Sequence, residues 1–189
     1  MSDEKTDWAL VDEIKAGDDR AFDALMERHK RPILNFVYRM LGHASQAEDV
    51  VQEVFVRTYQ TIRKPGFHQT TEEFSHWLFR VARNAALDGL RRRTRRAEVP
   101  FDSATPMAVS TSLPAGREVE NREIGERISA AVAELPEDQR TALLLAEYQG
   151  LSYGEIARIM RSSKKSVESR LYRAKRNLRG KLTDLLNSG

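Results

Sequence analysis

The chain has 189 residues, of which 40% are hydrophobic and 31% are charged, a size that allows one domain or two small ones. It has no cysteine, which excludes a disulfide framework, a thiolate metal site and a cysteine nucleophile. No stretch reaches the roughly 20 apolar residues of a membrane span, and the charged N-terminus lacks the apolar segment of a secretory signal, so we expect a cytoplasmic protein.

The formal net charge of +3 conceals four blocks of alternating sign. Residues 1–79 and 97–160 have net charges of −4 and −6, whereas residues 80–96 and 161–189 have +6 and +7. Two cationic segments in an otherwise acidic chain favour a polyanionic partner that is bound at two places. A single segment of this kind would more simply be a solvated helix face, but two are harder to explain in that way.

Apolar residues recur at helical spacing through most of the chain, which predicts an all-α protein. The first clear helix follows Gly17 and Asp18, and Pro32 is expected to break or restart it. The next apolar run ends at Gly42, which suits a left-handed C-cap. Residues 45–48 have the pattern of a capping box, with Ser45 as the cap, and are expected to open another helix.

A loop at residues 64–69 separates that helix from the next one. A second capping-box pattern at residues 70–73 predicts where the next helix begins. Its inward stripe consists of apolar residues spaced four, three and four apart, namely Phe74, Leu78, Val81 and Ala85. The helix continues into an arginine-rich segment, and we expect an N-terminal bundle to close near residue 96.

The opposite face of this helix presents Trp77, Arg80, Asn84, Asp88, Arg91 and Arg92. An aromatic ring among arginines suits single-stranded nucleic acid, because bases stack on the ring while guanidinium groups hold phosphates. Stacking contributes about 1–3 kcal/mol per base, which is comparable to the cost of extruding one base. Trp77 could equally be a core residue, since tryptophan is usually mostly buried.

Residues 97–117 are rich in Ser, Thr, Ala and Pro and lack apolar periodicity, which predicts a flexible linker. Helices are expected to resume near Glu118. The sequence therefore predicts two small helical bundles, an N-terminal domain over residues 1–96 and a C-terminal domain over residues 118–189, joined by this linker.

The sharpest local pattern lies between residues 151 and 171. Ser152 and Glu155 form a third capping box that opens a short helix. A polar turn at residues 161–163 follows, in which Ser162 or Ser163 can cap a second helix. The small side chain of Ala157 allows the two helices to cross closely. This pattern is typical of a helix-turn-helix, whose second helix enters the DNA major groove.

The second helix is predicted to bury Val167, Leu171, Ala174 and Leu178. Its outward side chains are then Lys164, Lys165, Ser166, Glu168, Ser169, Arg170, Tyr172, Arg173 and Arg176. Lysine and arginine bind phosphates or guanine edges, serine bonds to either, and glutamate accepts from the cytosine amino group. Many short helix pairs mimic this spacing, but the cationic face favours a DNA-reading helix over a solvated one.

In order and spacing, these motifs resemble a bacterial RNA polymerase sigma factor of the extracytoplasmic-function (ECF) class, the compact form with only regions two and four. Residues 46–55 resemble region 2.2, residues 74–93 resemble regions 2.3 and 2.4, and residues 134–182 resemble region four. The resemblance implies a protein that binds core RNA polymerase, recognises the −35 and −10 promoter elements and assists promoter melting, with no enzymatic activity and no cofactor.

The resemblance also assigns roles to residues. The positions that match the family's contacts with the β′ clamp helices of polymerase are Asp49, Gln52, Glu53 and Phe55. The positions that match its −10 helix are Trp77, Asn84, Asp88, Arg91 and Arg92. In the family the loop before that helix captures a flipped −10 base, and here the loop contains Phe67, His68 and Gln69.

Region four of the family reads the −35 element and lies on the β flap of polymerase, while the linker runs toward the active-site cleft. Relatives often carry a basic residue at the position of Glu168, so the expected −35 contacts shift to Lys164, Lys165 and Arg173. An anti-sigma factor that masks both bundles is a further expected partner, and no membrane insertion is expected.

Other functions find less support in the sequence. The four histidines, at positions 29, 43, 68 and 76, show no metal-ligand spacing, and no glycine-rich phosphate loop is present. A stand-alone repressor or activator would use the helix-turn-helix with a sensing or dimerising N-terminal bundle, but such a bundle needs no arginine-rich helix end. An RNA-binding protein is a more remote alternative, which competition by structured RNA would reveal.

Overall fold

The computed structural model describes residues 5–97 and 118–187, and these residues form helices without a β-strand. The helices are α1 (Asp7–Ala16), α2 (Asp19–Leu41), α3 (Ala44–Ile62), α4 (Phe74–Ala97), α5 (Glu118–Ala133), α6 (Glu137–Glu147), α7 (Tyr153–Ile159) and α8 (Lys164–Asn187). The prediction of an all-α protein is confirmed. The predicted linker lies outside the described residues, apart from Ala97 at the end of α4.

Helix α1 precedes the first helix that the sequence predicts. The Thr6 side chain caps it by accepting from the backbone N–H of Ala9 at 3.2 Å. Gly17 ends it in the left-handed region, with φ of 101°. Leu10, Val11 and Ile14 are buried against the rest of the bundle, and this burial stabilises a helix too short to be stable alone.

The predicted break at Pro32 is wrong, because α2 runs unbroken from Asp19 to Leu41. Proline removes one intrahelical hydrogen bond and strains the preceding turn, at a cost of about 3 kcal/mol. Burial on both sides of it, with Leu25, Ile33 and Phe36 at most 2% exposed, offsets that cost. The predicted C-cap at Gly42 is confirmed, since its φ is 76° and its N–H donates to the carbonyl of Tyr38.

The capping box at Ser152 and Glu155 is confirmed. The Glu155 N–H donates to the Ser152 hydroxyl at 3.4 Å, and the Ser152 N–H donates to the Glu155 carboxylate at 2.7 Å. These hydrogen bonds with Ser152 hold the pKa of Glu155 below its ordinary value. Helix α7 therefore begins at the residue that the sequence indicates.

The two other predicted capping boxes are wrong. Helix α3 begins directly behind His43, so Ser45 already lies inside the first helical turn and cannot cap it. Helix α4 begins only at Phe74. The Thr70 hydroxyl instead accepts from the Glu72 N–H at 3.2 Å, and the chain bends at Thr71 and Glu72 before the helix begins.

Helices α1–α4 form one bundle and α5–α8 form a second. In the first, α2 packs against α1, α3 and α4, and in the second, α8 packs against α5, α6 and α7. The two bundles also meet, because α2 contacts α5 and α6, and α4 contacts α7. Their buried apolar side chains form one continuous cluster.

Arg140 is the main polar link between the bundles. It is 8% exposed, and its guanidinium donates to the Met40 carbonyl of the first bundle at 2.6 Å. The same group donates to the carbonyls of Ala133 and Leu135 in its own bundle. In addition, the Arg39 guanidinium lies 3.8 Å from the ring centroid of Tyr148. The interface thus combines apolar burial with a buried cation whose two terminal nitrogens donate to carbonyls, while its Nε has no partner among the described residues.

Candidate nucleic-acid interface

The predicted reading helix, α8, presents a largely exposed polar face. Val167, Leu171 and Ala174 are buried, as predicted, and Leu178 packs against the core. Seven of the nine predicted contact residues are exposed, namely Lys164, Lys165, Glu168, Ser169, Tyr172, Arg173 and Arg176. Tyr172 is 67% exposed, which is unusual for a large aromatic ring and leaves it available to a base or sugar.

The remaining two positions lie differently. Ser166 is half-buried. The expectation that Arg170 points outward is wrong, because its guanidinium donates to the Asp138 carboxylate at 3.0 Å. The same carboxylate accepts from Arg83 of α4 at 2.7 Å. Arg170 therefore belongs to an ion-pair network that links the two bundles.

The turn between α7 and α8 brings Lys164 together with two cations that the sequence did not single out, Arg158 and Arg161. Ser163 caps α8 by accepting from the Ser166 N–H at 3.1 Å. Arg161 has φ of 50°, a conformation that non-glycine residues adopt rarely. Arg158, Arg161 and Lys164 line a cleft beside the start of α8. Cations next to a helix N-terminus favour a bound phosphate.

The predicted −10 face of α4 is also exposed at its C-terminal end, where Asn84, Asp88, Arg91 and Arg92 reach solvent. Arg91 lies 3.5 Å from Asp88, and Arg92 lies 3.4 Å from Glu53 of α3. Arg80 is half-buried and pairs with the Glu72 carboxylate. The side chains of Arg95 and Arg96 lie outside the described set.

Trp77 is neither a fully buried core residue nor a fully exposed ring, the two alternatives that the sequence allowed. It is half-buried and packs edge-on against Phe67, with 5.0 Å between ring centroids. Its centroid lies 5.4 Å from that of Phe74. Phe67 is half-buried, whereas His68 and Gln69 are exposed. The loop and the start of α4 thus share an aromatic cluster that is open on one side.

On α3, Asp49 and Gln52 are exposed and Glu53 is half-buried between Arg57 and Arg92. Phe55 is 7% exposed. It therefore packs in the core, and its expected surface contact with polymerase is not available in this structure. The neighbouring Val56, which the sequence analysis missed, is 55% exposed and lies one turn after Gln52.

Within the described ranges, no group of three or more His, Asp or Glu side chains could hold a metal ion. His29 bonds to Asp7 at 2.7 Å, and His76 lies 3.3 Å from Glu155 across the bundle interface. No described helix is both long and apolar enough to span a bilayer.

Comparisons with known proteins bear on both bundles. Residues 25–96 match the family model of sigma-70 region 2, and residues 125–178 match that of sigma-70 region 4. The RNA polymerase sigma-H factor of Pseudomonas aeruginosa is 34% identical over 193 residues, which cover 98% of each chain. The ECF RNA polymerase sigma-E factor of Haemophilus influenzae is 32% identical over 98% of this chain and 100% of its own.

Two solved structures share the fold. CnrH in complex with the cytosolic domain of CnrY superposes with a TM-score of 0.68 at 24% identity, covering 97% of this chain and 99% of its own. The sigma factor RpoE in complex with the anti-sigma factor NepR from Bartonella quintana has a TM-score of 0.66 at 23% identity, covering 86% and 96%.

Proposed function

The chain belongs to the extracytoplasmic-function class of RNA polymerase sigma factors, and from this membership we propose which of its surfaces binds DNA and which binds polymerase. As a member of the class it acts in promoter recognition and transcription initiation. The observation that carries the residue-level proposal is the pair of exposed cationic helix faces, one on each bundle.

Helix α8 binds the −35 element. Its exposed Lys164, Lys165 and Arg173 provide donors for phosphates and guanine edges, and Tyr172 provides an apolar ring for the groove wall. Glu168 lies among these cations. Because its carboxylate repels phosphate, Glu168 faces a base edge rather than the DNA backbone. The cleft at the turn adds Arg158 and Arg161 as phosphate ligands.

Helix α4 and the loop before it bind the −10 element and assist melting. Asn84 and Asp88 offer hydrogen-bonding groups on the exposed face, and Arg91 and Arg92 add positive charge toward its end. The aromatic cluster around Phe67 and Trp77 offers a stacking edge to an unpaired base, which favours separated strands over the duplex.

Helix α3 binds the β′ clamp helices of core polymerase through Asp49, Gln52 and Glu53. The exposed Val56 supplies an apolar centre to this acidic and amide-bearing surface, an arrangement that fits a basic helical partner. The C-terminal bundle, residues 118–189, lies on the β flap, and the linker between it and residues 1–96 runs toward the active-site cleft.

We place the protein in the cytoplasm, as a transcription factor without enzymatic activity or cofactor. The structure of RpoE with NepR contains a sigma factor bound to an anti-sigma factor, and CnrH was solved with the cytosolic domain of CnrY. By analogy with them, an anti-sigma factor is the expected regulator of this chain.

Gel retardation on a promoter fragment, with and without core polymerase, tests this function. We expect specific retardation only with polymerase present, since each bundle alone binds weakly and polymerase holds both on one template. Tight specific binding by the free chain would favour a repressor instead. Arg173→Ala should lower the salt dependence of holoenzyme binding by about one phosphate contact, and an unchanged slope would count against α8.

A further inference from the structure

Helix α1 holds the loop before α4 at two points. The loop exposes four consecutive residues, His68, Gln69, Thr70 and Thr71. On one side of these four, the Lys15 ammonium donates to the carbonyl of Phe67. On the other side, the Trp8 indole N–H donates to the carbonyl of Glu72 at 3.2 Å. Both ends of the exposed segment are therefore attached to one helix.

The spacing of Trp8 and Lys15 along α1 suits the attachment of both ends of the loop. Trp8 and Lys15 are seven residues apart, which places them on one face of α1, two turns or roughly 10.5 Å apart. The chain from Phe67 to Glu72 could span roughly 17 Å if fully extended. Between the two anchors the chain is not fully extended, since it bends at Thr71 and Glu72.

The helix that carries these anchors is itself firmly held. The Asp7 carboxylate accepts from Arg28 at 2.5 Å and bonds to His29 at 2.7 Å, both on α2. Leu10, Val11 and Ile14 are buried beneath it. Helix α1 thus provides a fixed support for the loop.

Trp8 also extends the aromatic cluster under the loop. Its ring centroid lies 6.0 Å from that of Phe67 and 5.6 Å from that of Phe74. Phe67 in turn contacts Trp77, which lies at the start of the proposed −10 face. The position of Phe67 therefore depends on α1 through both its ring and its carbonyl.

We propose that Trp8 and Lys15 are positioning residues, which hold this loop in the shape that receives an unpaired base of the −10 strand before DNA arrives. The proposal rests on the function proposed above for α4 and its loop. Within the exposed segment, the local bonds found are those of Thr70 with Glu72 and of His68 with Gly66. Because ordering a loop on binding lowers affinity, anchors that order it in advance raise affinity.

The test uses holoenzyme assembled with the full chain and two probes from a promoter that it transcribes. One probe is the single non-template strand across the −10 element, and the other is a −35 duplex. Trp8→Phe and Lys15→Met each remove one hydrogen bond to the loop, so we expect each to raise the single-strand Kd about fivefold and to leave the duplex Kd unchanged. Lys15→Arg, which keeps a donor, should bind like the wild type.

Lys5→Met is the matched control for loss of charge on this part of the chain, because Lys5 is exposed and pairs only with Glu13 among its described neighbours. It should change neither Kd. Thermal unfolding of each variant separates positioning from general stability. The proposal is overturned if single-strand affinity is unchanged in Trp8→Phe and Lys15→Met. It is also overturned if these variants bind both probes less tightly and the loss of affinity follows a lower Tm. If wild-type holoenzyme does not prefer its −10 strand to an unrelated strand, the function proposed for α4 fails first.

Discussion

Replacement of Arg161 by glycine should move stability and DNA binding in opposite directions. Arg161 has φ of 50° in the turn before α8, a conformation that costs an L-residue about 1–2 kcal/mol. Glycine removes that cost but adds backbone freedom to the unfolded chain, worth about 0.5–1 kcal/mol. The net expectation is a gain of about 0.5–1 kcal/mol in the free energy of unfolding.

The same substitution removes one cation from the cleft that Arg161 shares with Arg158 and Lys164. Each phosphate contact contributes about 0.9 to the slope of log K against log salt. Raising the salt concentration fourfold therefore weakens binding by about 3.5-fold for each phosphate contact. A variant that lacks one contact should lose about 3.5-fold less affinity over the same salt range. Arg161→Gly should therefore bind a −35 duplex less tightly and with a shallower salt dependence.

Thermal unfolding of the free chain and fluorescence anisotropy of holoenzyme on the duplex, from 50 to 200 mM salt, measure the two effects. A stabilisation of this size corresponds to a Tm increase of roughly 2–8 °C for a bundle of this length. Arg161→Lys keeps both the charge and the unfavourable φ, so it should change neither quantity. An unchanged salt slope in Arg161→Gly would refute a phosphate role for the cleft, and a lower Tm would refute the assigned strain.

Three further variants test other parts of the molecule. Replacing Asp49 and Glu53 together with alanine should abolish holoenzyme assembly in size-exclusion chromatography while leaving the helical circular dichroism intact, and persistent assembly would contradict the α3 assignment. Two effects oppose each other on the pKa of Asp7, because burial raises it and hydrogen bonds from α2 lower it. The hydrogen bonds dominate, so the pKa lies below the ordinary 3.8. The stability advantage of wild type over Asp7→Asn should therefore be full above that value and disappear as the pH falls through the lower folded pKa; a difference independent of pH would refute this. Arg140→Met leaves the Met40 carbonyl without its donor and should cost about 2–4 kcal/mol in urea unfolding, whereas a loss below about 0.5 kcal/mol would show that the link is weak.

Local patterns predicted the fold best where one helix face is buried. The stripe Val167, Leu171 and Ala174 and the cap at Ser152 follow from spacing and short-range hydrogen bonding, and both are observed. Pro32 shows the opposite case, since burial along α2 outweighs a local preference for a break. Helix α1 escaped prediction because its ten residues mix charged and apolar side chains, and its stability comes from contacts with α2 and α4.

The sequence predicted the exposed polar face of α8 but not the long-range contacts of the candidate residues. Arg170 is directed inward by Asp138, which lies 32 positions away in the sequence, and no local spacing encodes that pair. Phe55 was assigned by its place in a motif, although helical phase puts it on the buried side, one residue before exposed Val56. The hydrogen bond from Trp8 to the loop before α4 likewise joins residues 64 positions apart.

Run-off transcription from a randomised template library, with cognate core polymerase and the full chain, tests the two-surface account most directly. Sequencing of the productive templates should recover two preferred blocks at a fixed spacing. The upstream block should lose its preference when Lys165 and Arg173 are replaced, and the downstream block when Asn84 is replaced. Recovery of one block, of none, or of blocks that respond to the wrong helix would contradict the account.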